Sequence, residues 1–205
     1  MIRHVLTAAL LGCLLACLPA RAEDPKRIEG DHAKEAAKAL TDAIAKLELP
    51  VKASPDGKSG TGLHAGKVAV FVTPDSKLTA DALAKHEKGV LPLGVLFVTD
   101  SLTVVSADKP VAAKDHLTAE VTVKDQTAKL NVLTLAAARV ADRLVLLVYA
   151  KGKKPVVVAE LNESEEKTDH VIDFEARKVA DRRAALVVNV LGKYKASLQL
   201  EVKEE

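Results

Sequence analysis

The chain has 205 residues, with 30 Lys and Arg against 28 Asp and Glu, three Phe, two Tyr and no Trp. Cys13, Cys17, Arg3 and Arg21 all fall in an N-terminal stretch that reads as a secretory leader, so a mature chain from Glu23 carries 28 bases against 28 acids and no thiol. Formal neutrality and so few rings argue against a nucleic-acid surface or a platform of stacked aromatics, and the lack of thiols excludes disulfides, cysteine metal sites and cysteine nucleophiles.

The leader, residues 1–22, has Arg3 before an apolar run from Val5 to Leu18, too short to span a bilayer comfortably. Pro19-Ala20-Arg21-Ala22 supplies the small residues that a signal peptidase needs. The predicted product is exported, periplasmic or extracellular, with no transmembrane segment in the mature chain. A second reading is lipid anchoring at Cys17 within Leu14-Leu15-Ala16-Cys17, against which the bulk of Leu15 counts.

Residues 23–62 are predicted to hold an N-terminal helix and a linker. Residues 23–30 are charged and read as loose. Asp31 is positioned as an N-cap, and Ala33, Ala36, Ala37, Leu40, Ile44 and Leu47 share one stripe at helical spacing until Pro50. Such an alanine-rich stripe suits close packing on something flat. Residues 52–62 are rich in turn formers and mark the expected boundary of the main domain. Gly57-Lys58-Ser59 resembles the end of a phosphate loop, but Lys52 stands where that motif needs glycine.

Residues 63–205 are predicted to form an antiparallel β domain. Lys67 to Thr73 reads as a strand with Val68, Val70 and Val72 on one face. A short helix follows, capped by Thr79, stapled by Leu78 and Leu83 and ended at Gly89. Leu93 to Val98 and Leu102 to Ser106 read as a strand pair around Thr99-Asp100-Ser101. Leu117, Ala119, Val121 and Val123 alternate with polar residues, as in a half-buried strand. Beyond the turn at Asp125-Gln126-Thr127, the apolar phase moves from Leu130 and Val132 to Leu133 and Leu135, which predicts a bulge.

An internal repeat organises the rest, over 128–161 and 170–202. Val140-Ala141-Asp142-Arg143 leads into the apolar run Leu144 to Ala150, a lysine cluster and the strand Val156 to Leu161. Val179-Ala180-Asp181-Arg182 leads likewise into Ala184 to Leu191, a Gly-Lys turn and the strand Ala196 to Val202. The offset is 39 at the Ala-Asp-Arg triplet and 40 at the glycine, from Gly152 to Gly192. Each unit reads as a three-stranded meander. In the second, Ile172, Phe174 and Ala176 point inward, as do Ala196, Leu198, Leu200 and Val202.

The polar features favour structural roles. Two carboxylates, Asp142 and Asp181, could share a metal or proton only if the hairpin tips met, and in a simple meander they lie at opposite ends. The same separation applies to Lys151, Lys153 and Lys154 on one side and Lys193 and Lys195 on the other. Glu160, Glu163, Glu165, Glu166 and Asp169, followed by His170, form an acidic loop without the spacing or the glycine of a calcium loop. His32, His64, His86, His116 and His170 have no metal-ligand spacing and no nucleophile elbow, and read as surface or strand-end residues.

The fold expected is mainly β, an antiparallel sandwich or meander barrel of about eight to ten strands, with an N-terminal helix and one short internal helix. No catalytic residue, metal site or cofactor is assigned. The function expected is a non-enzymatic exported binding or structural module acting through a protein or envelope partner. The alternatives are a carrier of a small apolar ligand in a barrel interior and a lipid-anchored envelope protein.

Overall fold

The computed structural model describes residues 24–123 and 126–203. The leader, both cysteines and part of the turn at 125–127 lie outside them. The described chain is a β-sandwich of two antiparallel sheets, not a closed barrel. It has fourteen strands, more than expected, because the pieces at 26–28, 109–110 and 162–163 are only two or three residues long and because Thr61–Ala65, which begins inside the predicted linker, is also a strand.

The first sheet holds β1 (Lys26–Ile28), β2 (Thr61–Ala65), β3 (Val68–Pro74), β4 (Leu91–Thr99), β7 (Leu117–Val123), β8 (Gln126–Val140), β9 (Arg143–Tyr149) and β10 (Val157–Glu160). The second holds β5 (Leu102–Ser106), β6 (Lys109–Pro110), β11 (Asn162–Glu163), β12 (Ile172–Ala180), β13 (Arg183–Val190) and β14 (Tyr194–Val202). Between them lies a core of Val, Leu and Phe side chains, including Val72, Leu96, Leu133 and Leu146 from one sheet and Phe174, Leu186 and Leu198 from the other. Residues 26–28 are thus an edge strand paired with β2, correcting the loose segment predicted at 23–30.

Helix α1 (Gly30–Ile44) lies on the outer face of the first sheet. Its stripe of Ala33, Ala36, Ala37, Leu40 and Ile44 is buried against Phe71, Val95, Phe97, Ala119, Val121 and Val132. The small alanines allow close approach, and burying Leu40 and Ile44 contributes roughly 1.5–3 kcal/mol each. The N-cap position belongs to Glu29, without a side-chain bond, while Asp31 sits in the first turn paired to Lys34 at 3.2 Å. Asp31 is therefore not the cap; its negative charge lies at the positive end of the helix. Beyond the helix, the buried Asp75 carboxylate accepts the Ser54 and Lys77 amides and pins the 52–62 segment to the end of β3.

Helix α2 (Ala80–Ala84) starts as its sequence predicts, with Thr79 Oγ1 accepting from the Ala82 amide at 3.1 Å and Leu78 and Leu83 buried. It ends at Lys85 rather than at Gly89. β4 and β5 are consecutive but not paired: β4 lies between β3 and β8, whereas β5 joins β14 in the other sheet. Thr99-Asp100-Ser101 is the corner at which the chain changes sheets. Nor does β8 bulge where its apolar phase slips. Leu130 and Val132 face α1 while Leu133, Leu135 and Ala137 face the second sheet, so the slip records burial of both faces. The irregularity falls on the partner strand, between Pro92 and Gly94.

The repeat builds one meander in each sheet. β8, β9 and β10 form the first, and β12, β13 and β14 the second. Val140 pairs with Arg143 and Ala180 with Arg183, so the tips match at an offset of 40. The second unit has Arg182 and Arg183 where the first has Arg143 alone, and a bulge between Lys178 and Ala180 absorbs the extra residue. Ala141 and Asp142 both have positive φ, 48° and 65°, the geometry of a tight hairpin turn that aspartate tolerates well. Ala107 and Asp108 repeat it between β5 and β6.

Candidate functional site

Aligning the two meanders shows where they differ. Inward-facing Leu133, Leu135 and Ala137 of β8 correspond to Ile172, Phe174 and Ala176 of β12; Leu144, Leu146 and Val148 of β9 correspond to Ala184, Leu186 and Val188 of β13. Leu135 gives way to the larger Phe174, whereas Leu144, the first inward residue behind the tip, gives way to the much smaller Ala184. Arg139 and Lys178, which pair across the ladder with Leu144 and Ala184, also differ.

These differences fall at opposite ends of the sandwich. Leu91 of β4 pairs with Ala137, placing the Asp142 tip at the start of β4. Val202 pairs with Leu102 and Glu201 with Arg183, placing the Asp181 tip beside the corner at the end of β4. The Asp142 end is closed. Leu144 is buried, and Arg139 donates to the carbonyls of His86 at 3.0 Å, Asp142 at 3.4 Å and Ala84 at 3.5 Å, which holds the α2 end of the chain over the sheets.

At the Asp181 end the sheets enclose a groove of about 210 Å³. The β2–β3 hairpin supplies Leu63, Ala65, Val68, Ala69 and Val70 as one wall; Ala176, Ala184, Leu186, Leu200 and Val202 form the other. Its volume follows from small residues, above all Ala184, which is half-buried just behind the tip where the first unit places a buried leucine. The rim carries Lys178, Asp181, Arg182 and Arg183. Lys178 pairs with Asp181 at 3.3 Å, Arg183 with Glu201 at 2.6 Å, and Arg182 donates to the Val202 carbonyl at 2.7 Å. His64 also lines the groove, and its Nδ1 is buried without a hydrogen-bond partner. The groove can seat an apolar segment; its rim can meet charge.

A second, polar pocket of about 190 Å³ lies on the outer face of the second sheet. Arg27 holds Asp173 through both carboxylate oxygens, at 2.6 and 3.2 Å, and so ties β1 to β12. Burial works to raise the Asp173 pKa, but the Arg27 bonds and the Phe174 amide outweigh it and leave the carboxyl below its ordinary range. Over the same face, Glu166 accepts from Lys195 and from Asn189, and the Lys195 bond holds its carboxyl low. Gly192 makes room for this loop: a Cβ there would lie 2.7 Å from the Glu166 carbonyl. The acidic loop is therefore a strap tied to β13 and β14 as well as a solvated surface, and Glu160 pairs with Arg143 at 3.6 Å.

The sequence candidates do not converge. Asp142 and Asp181 stand at opposite ends, in different sheets. Lys151 is tied through its amide to the Asp115 carbonyl, whereas Lys195 belongs to the Glu166 strap, so the lysine tips form no joint patch. Asp56 accepts the Lys58 amide and the Ser59 hydroxyl, which makes Gly57-Lys58-Ser59 a closed turn. Among the described residues, no group of three or more His, Cys, Asp or Glu is placed to hold a metal ion.

His116, directly before β7, holds a strand-end position, one of the two expected for it, but not an exposed one. It is buried, with Nε2 3.0 Å from Thr103 Oγ1, and the Thr103 hydroxyl also donates to the Val111 carbonyl at 2.9 Å. Asn131 bonds the Leu102 carbonyl at 2.8 Å, so these side chains lace β5 to the first sheet at the corner. Burial, reinforced by the positive Lys203, holds the imidazole pKa below its ordinary value.

The groove itself had a signal in the sequence, the Leu144-to-Ala184 difference between the repeats. It became meaningful only when the register showed both positions facing the core. No helix of the described residues is long and apolar enough to cross a membrane. Comparison of the chain with family models, curated proteins and solved structures gives no match.

Proposed function

We propose that the protein is an exported, non-enzymatic binding module that takes a small apolar ligand, or the apolar part of a larger one, in the groove at the Asp181 end. The open, apolar-walled space between the sheets carries this reading. In a core packed at ordinary density, an unfilled space of this size forfeits contact energy that a ligand would restore. Because the sheets do not close into a barrel, the seat of the carrier reading moves from a barrel interior to the gap between sheets.

Docking on a protein or envelope partner is the second reading. Val179 favours it, being 59% exposed at the tip beside the groove, where a ligand inside would leave it uncovered.

The test is native mass spectrometry of the protein purified gently from its own host, beside the Ala184→Leu variant. A dissociable added mass on the wild type, absent from the variant, supports the groove. Bare protein in both, or equal added mass in both, refutes it. A constant addition to a chain beginning at Cys17 would instead identify lipid anchoring.

A further inference from the structure

We infer that the protein docks on an anionic lipid surface through a lysine patch where β6 and β10, the end strands of the two sheets, lie together. The patch shares no residue with the lining of the groove. Two segments meet there, 106–116 and 150–156, holding Lys109, Lys114, Lys151, Lys153 and Lys154 against two acids, Asp108 and Asp115. Two bonds join the segments. The Lys151 amide donates to the Asp115 carbonyl at 2.8 Å, beside Lys114. The Ser106 hydroxyl donates to the Val156 carbonyl, and Lys109 is the ladder partner of Ser106. All five lysines are exposed, and among the described residues none has an acid within ion-pair distance. Lys178, Arg183 and Lys195, on the other side of the molecule, are all held by acids.

The composition of the patch selects the partner. Lysine is a hydrated point charge on a flexible stem and fixes no geometry, whereas recognition of individual phosphates or carboxylates favours the planar arginine fork. The two segments contain no Arg, Phe, Tyr or Trp, so they lack both the anchors of a protein interface and the stacking platforms of a single-stranded nucleic-acid site. A surface of anionic headgroups asks only that several charges come within a Debye length, about 8 Å at physiological salt. Edge protection accounts for less. It places charge on the edge strand itself, and Lys109 alone of the five lies in a strand. The other four stand in the connections. A Cβ at Gly152 would meet nothing within 4 Å, so the tip that carries Lys151, Lys153 and Lys154 projects from the sheets.

The experiment is co-sedimentation of the purified protein, at physiological ionic strength, with vesicles of two parts phosphatidylcholine to one part phosphatidylglycerol, beside vesicles of phosphatidylcholine alone. Binding to the anionic vesicles only is expected, with release by high salt. The chain as a whole is close to neutral, with 30 bases against 28 acids, so only a local concentration of charge can hold it there. Each lysine near such a surface is worth about fivefold, so Lys151→Gln/Lys153→Gln/Lys154→Gln should weaken binding about hundredfold and Lys109→Gln/Lys114→Gln about twenty-fivefold, with urea midpoints unchanged. The control Lys38→Gln/Lys46→Gln/Lys58→Gln removes three exposed lysines from the α1 side and should leave binding within about twofold. Equal losses in control and patch variants would overturn the patch. Binding to both kinds of vesicle, or to neither, would overturn the anionic surface. Capture by soluble poly-glutamate without sedimentation on vesicles would assign the patch to an acidic protein and overturn the lipid.

Discussion

The two ends of the sandwich are built from the same repeated unit and finished differently. At the Asp142 end, a buried leucine just behind the tip and Arg139 reaching to the end of α2 seal the core. At the Asp181 end, half-buried alanine just behind the tip and a bulged hairpin leave it open, with Lys178 turned to Asp181 on the surface. A duplicated meander thus supplies its own reference: whatever the open end lacks can be read from the closed one.

The comparison is broken most directly by making the closed end resemble the open one. Leu144→Ala should cost about 2–5 kcal/mol in urea unfolding, because the leucine is buried and its surroundings are fixed by Arg139 and α2. A cost below 1 kcal/mol would mean that this end relaxes and that the contrast is overstated. The glycines offer a second contrast. Gly192→Ala should cost about 1–3 kcal/mol, because φ is +65° and the Glu166 carbonyl occupies the space. Gly152→Ala at the matching turn meets nothing within 4 Å and should stay within about 0.5 kcal/mol.

In the opposite direction, Ala184→Leu should raise stability by about 0.5–2 kcal/mol by filling the groove. A loss instead would show that the walls are already in contact in solution.

The smallest effects concern pH. His116 and Asp173 both have lowered folded pKa values, so in each case the unfolded chain takes up a proton first and stability falls as pH falls. For His116 the loss begins below about 6.5 and for Asp173 below about 3.9, the ordinary values of these groups. His116→Gln should flatten the first part of the curve, and Asp173→Asn the second. Urea midpoints measured from pH 8 to pH 3 separate the two, and an unchanged slope in either variant would remove that group from the account.

Much of the architecture was legible in the chain. The repeat is visible as the recurring Ala-Asp-Arg triplet, and the stripe from Ala33 to Ile44 reported a helix on a flat surface. What misled was reading each strand by one face. The phase slip at Val132 and Leu133 looked like a bulge because alternation describes a strand with one wet face, whereas β8 is covered by α1 on one side and by the second sheet on the other. Thr99-Asp100-Ser101 looked like a hairpin because turn residues mark a reversal and do not state whether the next strand stays in the sheet. His116 could be read as a strand end but not as a buried one, because its partner Thr103 is thirteen residues away and only the corner brings them together.

By itself, then, the sequence determined the longer strands from Val68 onward, the helices and the twofold repetition, because these depend on local periodicity and on turn chemistry, whereas β1, β2, β6 and β11 were not legible in it. The partition of strands between sheets, the sealing of one end and the opening of the other were decided by the tertiary structure. Those outcomes depend on which faces meet across the core, and an alanine at position 184 means a groove only once the β2–β3 hairpin stands opposite it.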